Sequence, residues 1–363
     1  MPDCQGSTGS RTAERGVARR WSGASSVILS VLTFPTLPLS DWPITFDDVL
    51  AARQRLRPYL EPSPLRTYPV LDALVGHGIR VLVKHENLNP TNAFKIRNAL
   101  SFMTALEPDE RRRGVVAASK GNHGLGLAYA GALLGAPVTI CVPVDNNPEK
   151  NAAIRGYGAT LIESGADYDE SAVVAARMVE EKGLVLAHST NDAHVIAGAA
   201  TLTLELIEQA PDIDAMVIAV GGGSQAVGAM TVLRAQRPAV RVTAVQAAGA
   251  SAAHDSWHAG APRTTATALT FADGLATRAA YALTFPALLE GLKDFVTVRD
   301  AEIASALRLL LSTTHTLVEG AAAAGLAALL ARREQFAGQR IGIVLSGGNI
   351  DAATLRSVMV GEI

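Results

Sequence analysis

The sequence predicts an α/β protein, of two domains or one large one, built on mostly parallel, doubly wound sheets. Three observations carry this prediction: short apolar runs rich in β-branched residues, Ala- and Leu-rich stretches between them, and glycine-rich junctions where one gives way to the other. Parallel strands are covered by helices on both faces, so they read as near-continuous apolar runs instead of alternating ones. Helical stretches between such runs return the chain for the next parallel strand.

In chain order the runs are Arg80–Lys84 (RVLVK), 114–118 (GVVAA), Val138–Val142 (VTICV), 184–187 (LVLA), 215–220 (AMVIAV), 242–246 (VTAVQ) and 342–346 (GIVLS). Helical segments such as Asn122–Leu134 and 301–312 lie between them. No internal repeat of roughly 20–50 residues is visible, and no charged or Pro-rich linker marks a domain boundary. Residues 1–40 read differently, polar, basic and Ser/Gly-rich before the apolar run VILSVLTF. Arg19 and Arg20 ahead of that run suggest an export signal. Pro35 and Pro38 break the run and no small-x-small cleavage site follows, so a disordered tail or a mis-assigned start is the favoured expectation.

With 363 residues, 48% of them hydrophobic, the chain can bury a substantial core. Thirty-two basic against 34 acidic residues leave a formal charge of −2, with no field to attract nucleic acid or an anionic membrane. Cys4 and Cys141 are too few for a disulfide framework, which suits a reducing cytoplasm.

Ligands of open parallel sheets bind beyond the carboxyl ends of the strands, and four such junctions carry unusual residues. In KHENLNPTNAFKIRNAL, Asn89, Pro90, Thr91 and Asn92 form a turn, and Lys95 follows at a helix start beside Phe94 and Ile96. A lysine held in a partly apolar site loses its charge more readily and can condense with an aldehyde. An exposed lysine is the commoner reading of this segment alone. In ASKGNHGLGLAYAGALLG, a strand ends at Ser119, passes Lys120 and Gly121, and enters a helix at Asn122 and His123. The free N–H groups there can bind a carboxylate or serve only as an ordinary cap.

In AVGGGSQAVG, Gly221, Gly222, Gly223 and Ser224 again join strand to helix. Glycines let the backbone close on a phosphate, and the helix dipole favours it. The dinucleotide fingerprint is loosely met, but it needs an acidic residue ending the next strand, and Gln246 stands there. No Gly-Lys-Ser/Thr ending completes a Walker loop, so a single phosphate fits better than a dinucleotide. Last, in IVLSGGNID, Ser346 closes a buried strand before Gly347 and Gly348, which projects its hydroxyl into the cleft.

Together, in this order and spacing, these segments resemble the fold type II (tryptophan-synthase-β-like) pyridoxal-phosphate enzymes, in the threonine/serine dehydratase and serine racemase group. ENLNPTNAFKIRNA, SKGNHG, NNPEKNAAIRGYGA, VIAGAAT, VGGGS, FADGLATR, VEGAAAAG and LSGGNID carry the resemblance from about Thr45 to the C-terminus. THTLVEGA and the lysine before GNHG look closest to bacterial threonine dehydratases and hydroxyectoine-utilisation dehydratases. The resemblance implies a large cofactor domain over 41–113 and 192–363, a small domain over 114–191, and a homodimer.

It also implies that Lys95 holds pyridoxal 5'-phosphate as a Schiff base, with Phe94 alongside. Asn122 would bond the ring hydroxyl oxygen, Gly221, Gly222, Gly223 and Ser224 cradle the phosphate, and Ser346 bond the pyridine nitrogen. Ser119, Asn122, His123 and Thr91 fall on the substrate side, with Ser119 and its loop taking the carboxylate. A neutral hydroxyl at the pyridine nitrogen tempers the electron sink, which suits elimination. The implied reaction is α,β-elimination. The freed Lys95 amine takes the Cα proton, the β-hydroxyl leaves, and a 2-oxo acid and ammonia result.

The chain departs from the family at several points. Asn92 and Ala93 stand where Gly and Ser are usual, and Asn98 replaces a Gly; an Asn can still take left-handed backbone angles. Lys120 occupies the place of the racemases' second serine. This argues against racemisation by that route and makes Lys120 a candidate catalytic residue, a second proton donor or a reader of an acidic or polar substrate side chain. A solvated loop lysine is the plainer alternative. Leu125 replaces a Gln, which admits bulkier substrates such as phenylserine. Gln246 and Ala252 offer no anionic oxygen where relatives bind Mg²⁺ or Ca²⁺, so no metal is expected. The competing readings are a hydroxyectoine-pathway or 3-hydroxyaspartate dehydratase on the same cofactor, and a non-catalytic pyridoxal-phosphate-binding regulatory protein.

Overall fold

Alternate residues of each central strand face two different apolar layers, and that pattern organises the molecule. The computed structural model describes residues 42–363, so the tail expected at 1–40 lies outside the described residues. Six strands form one sheet in the order β1-β2-β10-β7-β8-β9. They are β1 (Leu65–Arg66), β2 (Arg80–Lys84), β7 (Ala215–Ala219), β8 (Arg241–Ala247), β9 (Asp294–Val298) and β10 (Arg340–Val344). Only β1 runs antiparallel to its neighbour; the other pairings are parallel. Four further strands, β3 (Val115–Ala118), β4 (Val138–Val142), β5 (Thr160–Glu163) and β6 (Val185–Leu186), form a second, wholly parallel sheet in the order β5-β4-β3-β6.

In the six-stranded sheet Leu82, Met216, Ala244 and Val344 pack toward the helices Phe46–Leu56, Lys95–Ala105, Ala193–Gln209 and Ser224–Gln236. Val81, Val83, Val217, Val245 and Ile343 pack the other way, toward Asp300–Thr314 and Gly320–Ala331. This is the doubly wound arrangement that the continuous apolar runs imply. The Gly320–Ala331 helix (GAAAAGLAALLA) is buried almost all round, and its small side chains let it lie directly on the sheet.

Three strands were not expected. β1 is only two residues long, and β5 and β9 are edge strands with partly exposed side chains (TLIE and DFVTV), which lack a continuous apolar run. The last strand was expected over 342–346, but its ladder occupies Arg340–Val344. Ser346 therefore lies past the strand end, where its carbonyl accepts the Phe94 N–H at 2.9 Å. Among the described residues no helix is long and apolar enough to cross a membrane.

Candidate active site

The turn before Lys95 depends on Asn92, which sits in the left-handed region at φ +51°. Asparagine tolerates that region, so the turn survives without the usual glycine. Four hydrogen bonds then stitch the turn to the loop after β10: Phe94 N–H to Ser346 O (2.9 Å), Gly348 N–H to Asn92 O (2.8 Å), Asn349 Nδ2 to Thr91 O (2.9 Å) and Asn92 Nδ2 to Asn349 Oδ1 (3.4 Å). Lys95 and Ser346, 251 positions apart by their numbering (346 − 95), thus come from one joined pair of loops. The Asn122–Leu134 helix packs directly behind them. A Cβ on Gly126 would stand 3.0 Å from the Lys95 carbonyl oxygen.

Lys95 is the first residue of its helix and is half-buried, with enough protein around its amine to disfavour the charge. Nζ donates to the Ser189 carbonyl at 3.1 Å and lies 5.0 Å from the Phe94 ring centroid. No carboxylate pairs with it among the described residues. Burial without an anion pushes the amine down to about 8. Two residues on, Arg97 anchors the helix from behind: it bonds Glu86 through Nε and Nη2 (2.7 and 2.9 Å) and Glu205 through Nη1 and Nη2 (2.6 and 2.8 Å).

At the second junction the Ser119 hydroxyl oxygen accepts the N–H groups of Gly124 (2.9 Å) and Gly121 (3.2 Å), capping the Asn122 helix. Asn122 donates to Glu319 Oε1 at 2.7 Å and accepts from Asn349 Nδ2 at 2.7 Å. His123 uses Nε2 on the Ala187 carbonyl at 3.0 Å, and burial together with nearby Lys95 pushes its imidazole down to about 3. Lys120, in contrast, is exposed, and no hydrogen bond or ion pair holds its amine among the described residues. Leu125 lines a cleft of about 160 Å³ with Gly121, Asn122, Lys150, Asn349 and Asp351.

At the third junction Gly223 takes φ +97°, and the helix that follows has no side-chain cap. A Cβ on Gly221 would strike the Gly274 carbonyl, and one on Gly222 the Thr190 side chain. Thr284 Oγ1 donates to Gly222 O at 2.7 Å and clamps the loop from a third side. The loop N–H groups of Gly221, Gly222 and Gly223 donate to no described residue. Asn98, where a glycine was usual, lies inside the Lys95 helix and reaches Ser224 Oγ at 3.4 Å.

An aldehyde-bearing phosphate ester fits these features. It needs an amine that sheds its proton, an anion cradle of unpaired N–H groups, and polar partners for its ring. Thr91 Oγ1, Asn98 Oδ1 and His123 Nδ1 are buried without a hydrogen-bond partner among the described residues, and all three belong to this region. Such orphaned atoms mark a place where a ligand completes the bonding. Among the described residues no group of three or more His, Cys, Asp or Glu is placed to hold a metal ion.

Sequence reasoning overlooked Glu319, Asn349, His188 and Ser189. Glu319 sits at the cap of the alanine-rich helix, and burial pushes its carboxyl up. A carboxylate opening a helix of GAAAAGLAALLA was the available signal.

Residues 56–347 match the family model described as pyridoxal-phosphate dependent enzyme. An L-threonine ammonia-lyase of Geobacter sulfurreducens is 40% identical over 282 residues, 78% of this chain and 70% of that one. An L-threo-3-hydroxyaspartate ammonia-lyase of a Pseudomonas species is 34% identical over 317 residues, 87% of this chain and 99% of its own. The solved structure of maize serine racemase superposes with a TM-score of 0.83 at 32% identity, covering 88% of this chain and 98% of that one.

Proposed function

The chain belongs to the pyridoxal-phosphate dependent enzymes of fold type II, in their threonine/serine dehydratase group, and from that premise we propose that it removes water from a β-hydroxy amino acid to release a 2-oxo acid and ammonia. The observation that carries this reading is Lys95: a desolvated, half-buried amine with no anionic partner among the described residues, facing a segment that also touches the uncapped glycine loop. When bound, pyridoxal phosphate supplies an aldehyde for covalent attachment and a conjugated ring that acidifies Cα.

The chain's own residues supply the rest. Gly221, Gly222, Gly223 and Ser224 hold the phosphate through backbone N–H groups and the helix dipole. The Ser346 hydroxyl and the second amide N–H of Asn122 would hold the cofactor's ring, the first at its nitrogen and the second at its hydroxyl oxygen. The Ser119 hydroxyl, whose acceptor within the protein is the Gly121 carbonyl at a long 3.4 Å, turns its proton to the substrate carboxylate, with Thr91 and His123 alongside. Lys95, neutral in an appreciable fraction near pH 8, takes the Cα proton as general base. The 114–191 segment acts as a small domain over the cleft. The protein works as a homodimer in the cytoplasm; light scattering tests the dimer, and cell fractionation the compartment.

The substrate side chain is the open specificity, and Lys120 is the residue we assign to it. Its unpaired exposed amine on the loop before Asn122 suits a β-carboxylate, as in 3-hydroxyaspartate. Borohydride should fix the cofactor on Lys95 alone. A 2-oxo acid assay over threonine, serine, 3-hydroxyaspartate and phenylserine then ranks the substrates. Lys120→Ala should weaken the acidic substrate selectively, and unchanged ranking removes Lys120 from the site.

A further inference from the structure

Residues 187–192 form a bare connection between β6 and the Ala193–Gln209 helix, yet they touch most of the site. The Ala187 carbonyl accepts from His123, and the Ser189 carbonyl accepts from Lys95 Nζ at 3.1 Å. Thr190 packs against Gly222 of the glycine loop so closely that a Cβ there has no room. Asn191 Oδ1 accepts the Leu283 N–H at 3.2 Å, and Asp192 Oδ1 caps the following helix through the Val195 N–H at 2.9 Å.

A loop with this many obligations needs an internal brace, and His188 provides one. Its Nδ1 accepts the N–H groups of both Thr190 (3.0 Å) and Asn191 (2.8 Å). Two donors converging on Nδ1 require that atom to be unprotonated, which leaves the ring proton on Nε2. The ring is further held edge-on to Tyr281, with centroids 5.5 Å apart.

We propose that His188 is a positioning residue for Lys95: by accepting two backbone N–H groups it fixes the turn that aims the Ser189 carbonyl at the lysine amine and Thr190 at the phosphate cradle. The carbonyl takes one N–H of the amine and so sets where its lone pair points, which matters each time the amine is free to accept a proton. Burial and neighbouring Lys95 push the imidazole down to about 4, in keeping with an acceptor that stays unprotonated at neutral pH. The role is one of geometry; the ring itself transfers no proton.

This inference rests on Lys95 being the reactive amine, which borohydride labelling of the wild type tests separately. The discriminating pair is His188→Ala and His188→Asn, because an Asn side-chain oxygen can accept the same two N–H groups. In the alanine variant, covalent uptake of pyridoxal phosphate by the apoenzyme and kcat should each fall about tenfold or more, with KM changed far less. The asparagine variant should recover most of both losses. An alanine variant that matches the wild type, or an asparagine variant no better than alanine, overturns the proposal. A reading that needs no variant to fold is the ¹⁵N spectrum of the wild-type holoenzyme. It should show His188 protonated on Nε2 at neutral pH; a proton on Nδ1 overturns the proposal equally.

Discussion

Lys84 and Lys95 lie on one short stretch of chain, the first fully buried and the second half-buried, and the protein treats their charges in opposite ways. Lys84 Nζ has three acceptors for its three protons: Ser63 O at 2.8 Å, Glu205 Oε2 at 2.9 Å and Gln209 Oε1 at 2.9 Å. Among the described residues Lys95 has one, the Ser189 carbonyl. Burial lowers both amines, but Glu205 opposes the shift at Lys84, whereas nothing opposes it at Lys95. A buried cation needs a paired anion and full hydrogen bonding to persist. The first lysine is held as framework, and the second is left with the chemistry of the reagent we propose it to be, although the sequence presents both among apolar neighbours.

The largest test of that contrast exchanges the two lysines for neutral side chains. Lys95→Ala should lower kcat by about 10⁴-fold or more and abolish covalent retention of the cofactor. It should leave the melting temperature equal or higher, because it removes a desolvated amine that no described carboxylate pairs. Lys84→Met should do the reverse. It should cost about 3 kcal/mol, the low end for a broken buried pair because Arg97 still faces Glu205. Its folded fraction should still take up cofactor covalently. Urea melts and borohydride labelling check both arms, and a Lys84→Met protein that folds normally but rejects the cofactor would break the comparison.

A smaller effect separates the lysines by pH. The neutral amine is the nucleophile, and the Lys95 amine titrates at about 8 against an ordinary value of 10.5. Cofactor uptake by the apoenzyme should therefore rise about tenfold per pH unit below that point and level off above it. The sign for stability follows from the same shift. Between about 8 and 10.5 the unfolded chain still holds a proton that the native Lys95 has lost, so this group makes stability rise with pH across that window. Stopped-flow uptake measures the first effect, and a midpoint near 10 would return Lys95 to the ranks of ordinary lysines.

Why Lys95, the glycine loop and Ser346 could be picked out from sequence, and Glu319 and His188 could not, has a physical cause. Lys95, the glycine loop and Ser346 are marked by local chemistry: a turn rich in Asn and Pro, glycines at a strand-to-helix junction, a hydroxyl after an apolar run. β2 and β4 are legible for the same reason, because strands buried on both faces leave a continuous apolar signature. Glu319 and His188 carry no such mark. Glu319 matters through Asn122, 197 positions away, and His188 through a side chain folded back on its own backbone. Lys120 shows the opposite case, a residue conspicuous in sequence whose side chain turns out exposed. Residue type announces a role when the role is local; a role that arises from tertiary contact leaves only an unexplained polar residue in the string.

Gln246 supplies a third way to bury a polar group, and the smallest effect. Its side chain is fully buried at the end of β8 and carries no charge. Oε1 accepts the N–H groups of Ala253 (3.1 Å) and His254 (3.0 Å), and Nε2 donates to Thr277 Oγ1 at 3.2 Å. The donors that surround this oxygen present their positive ends to it, so a cation placed here would meet repulsion where it needs carboxylate oxygens. Gln246→Ala should cost about 1–2 kcal/mol through the two orphaned N–H groups at the start of the Ala252–Ala259 helix. Turnover should be indifferent to a chelator and to added Mg²⁺. A Mg²⁺-restored activity would mean that neutral hydrogen bonding does not hold this corner, and that charge is needed here as it is around Lys84.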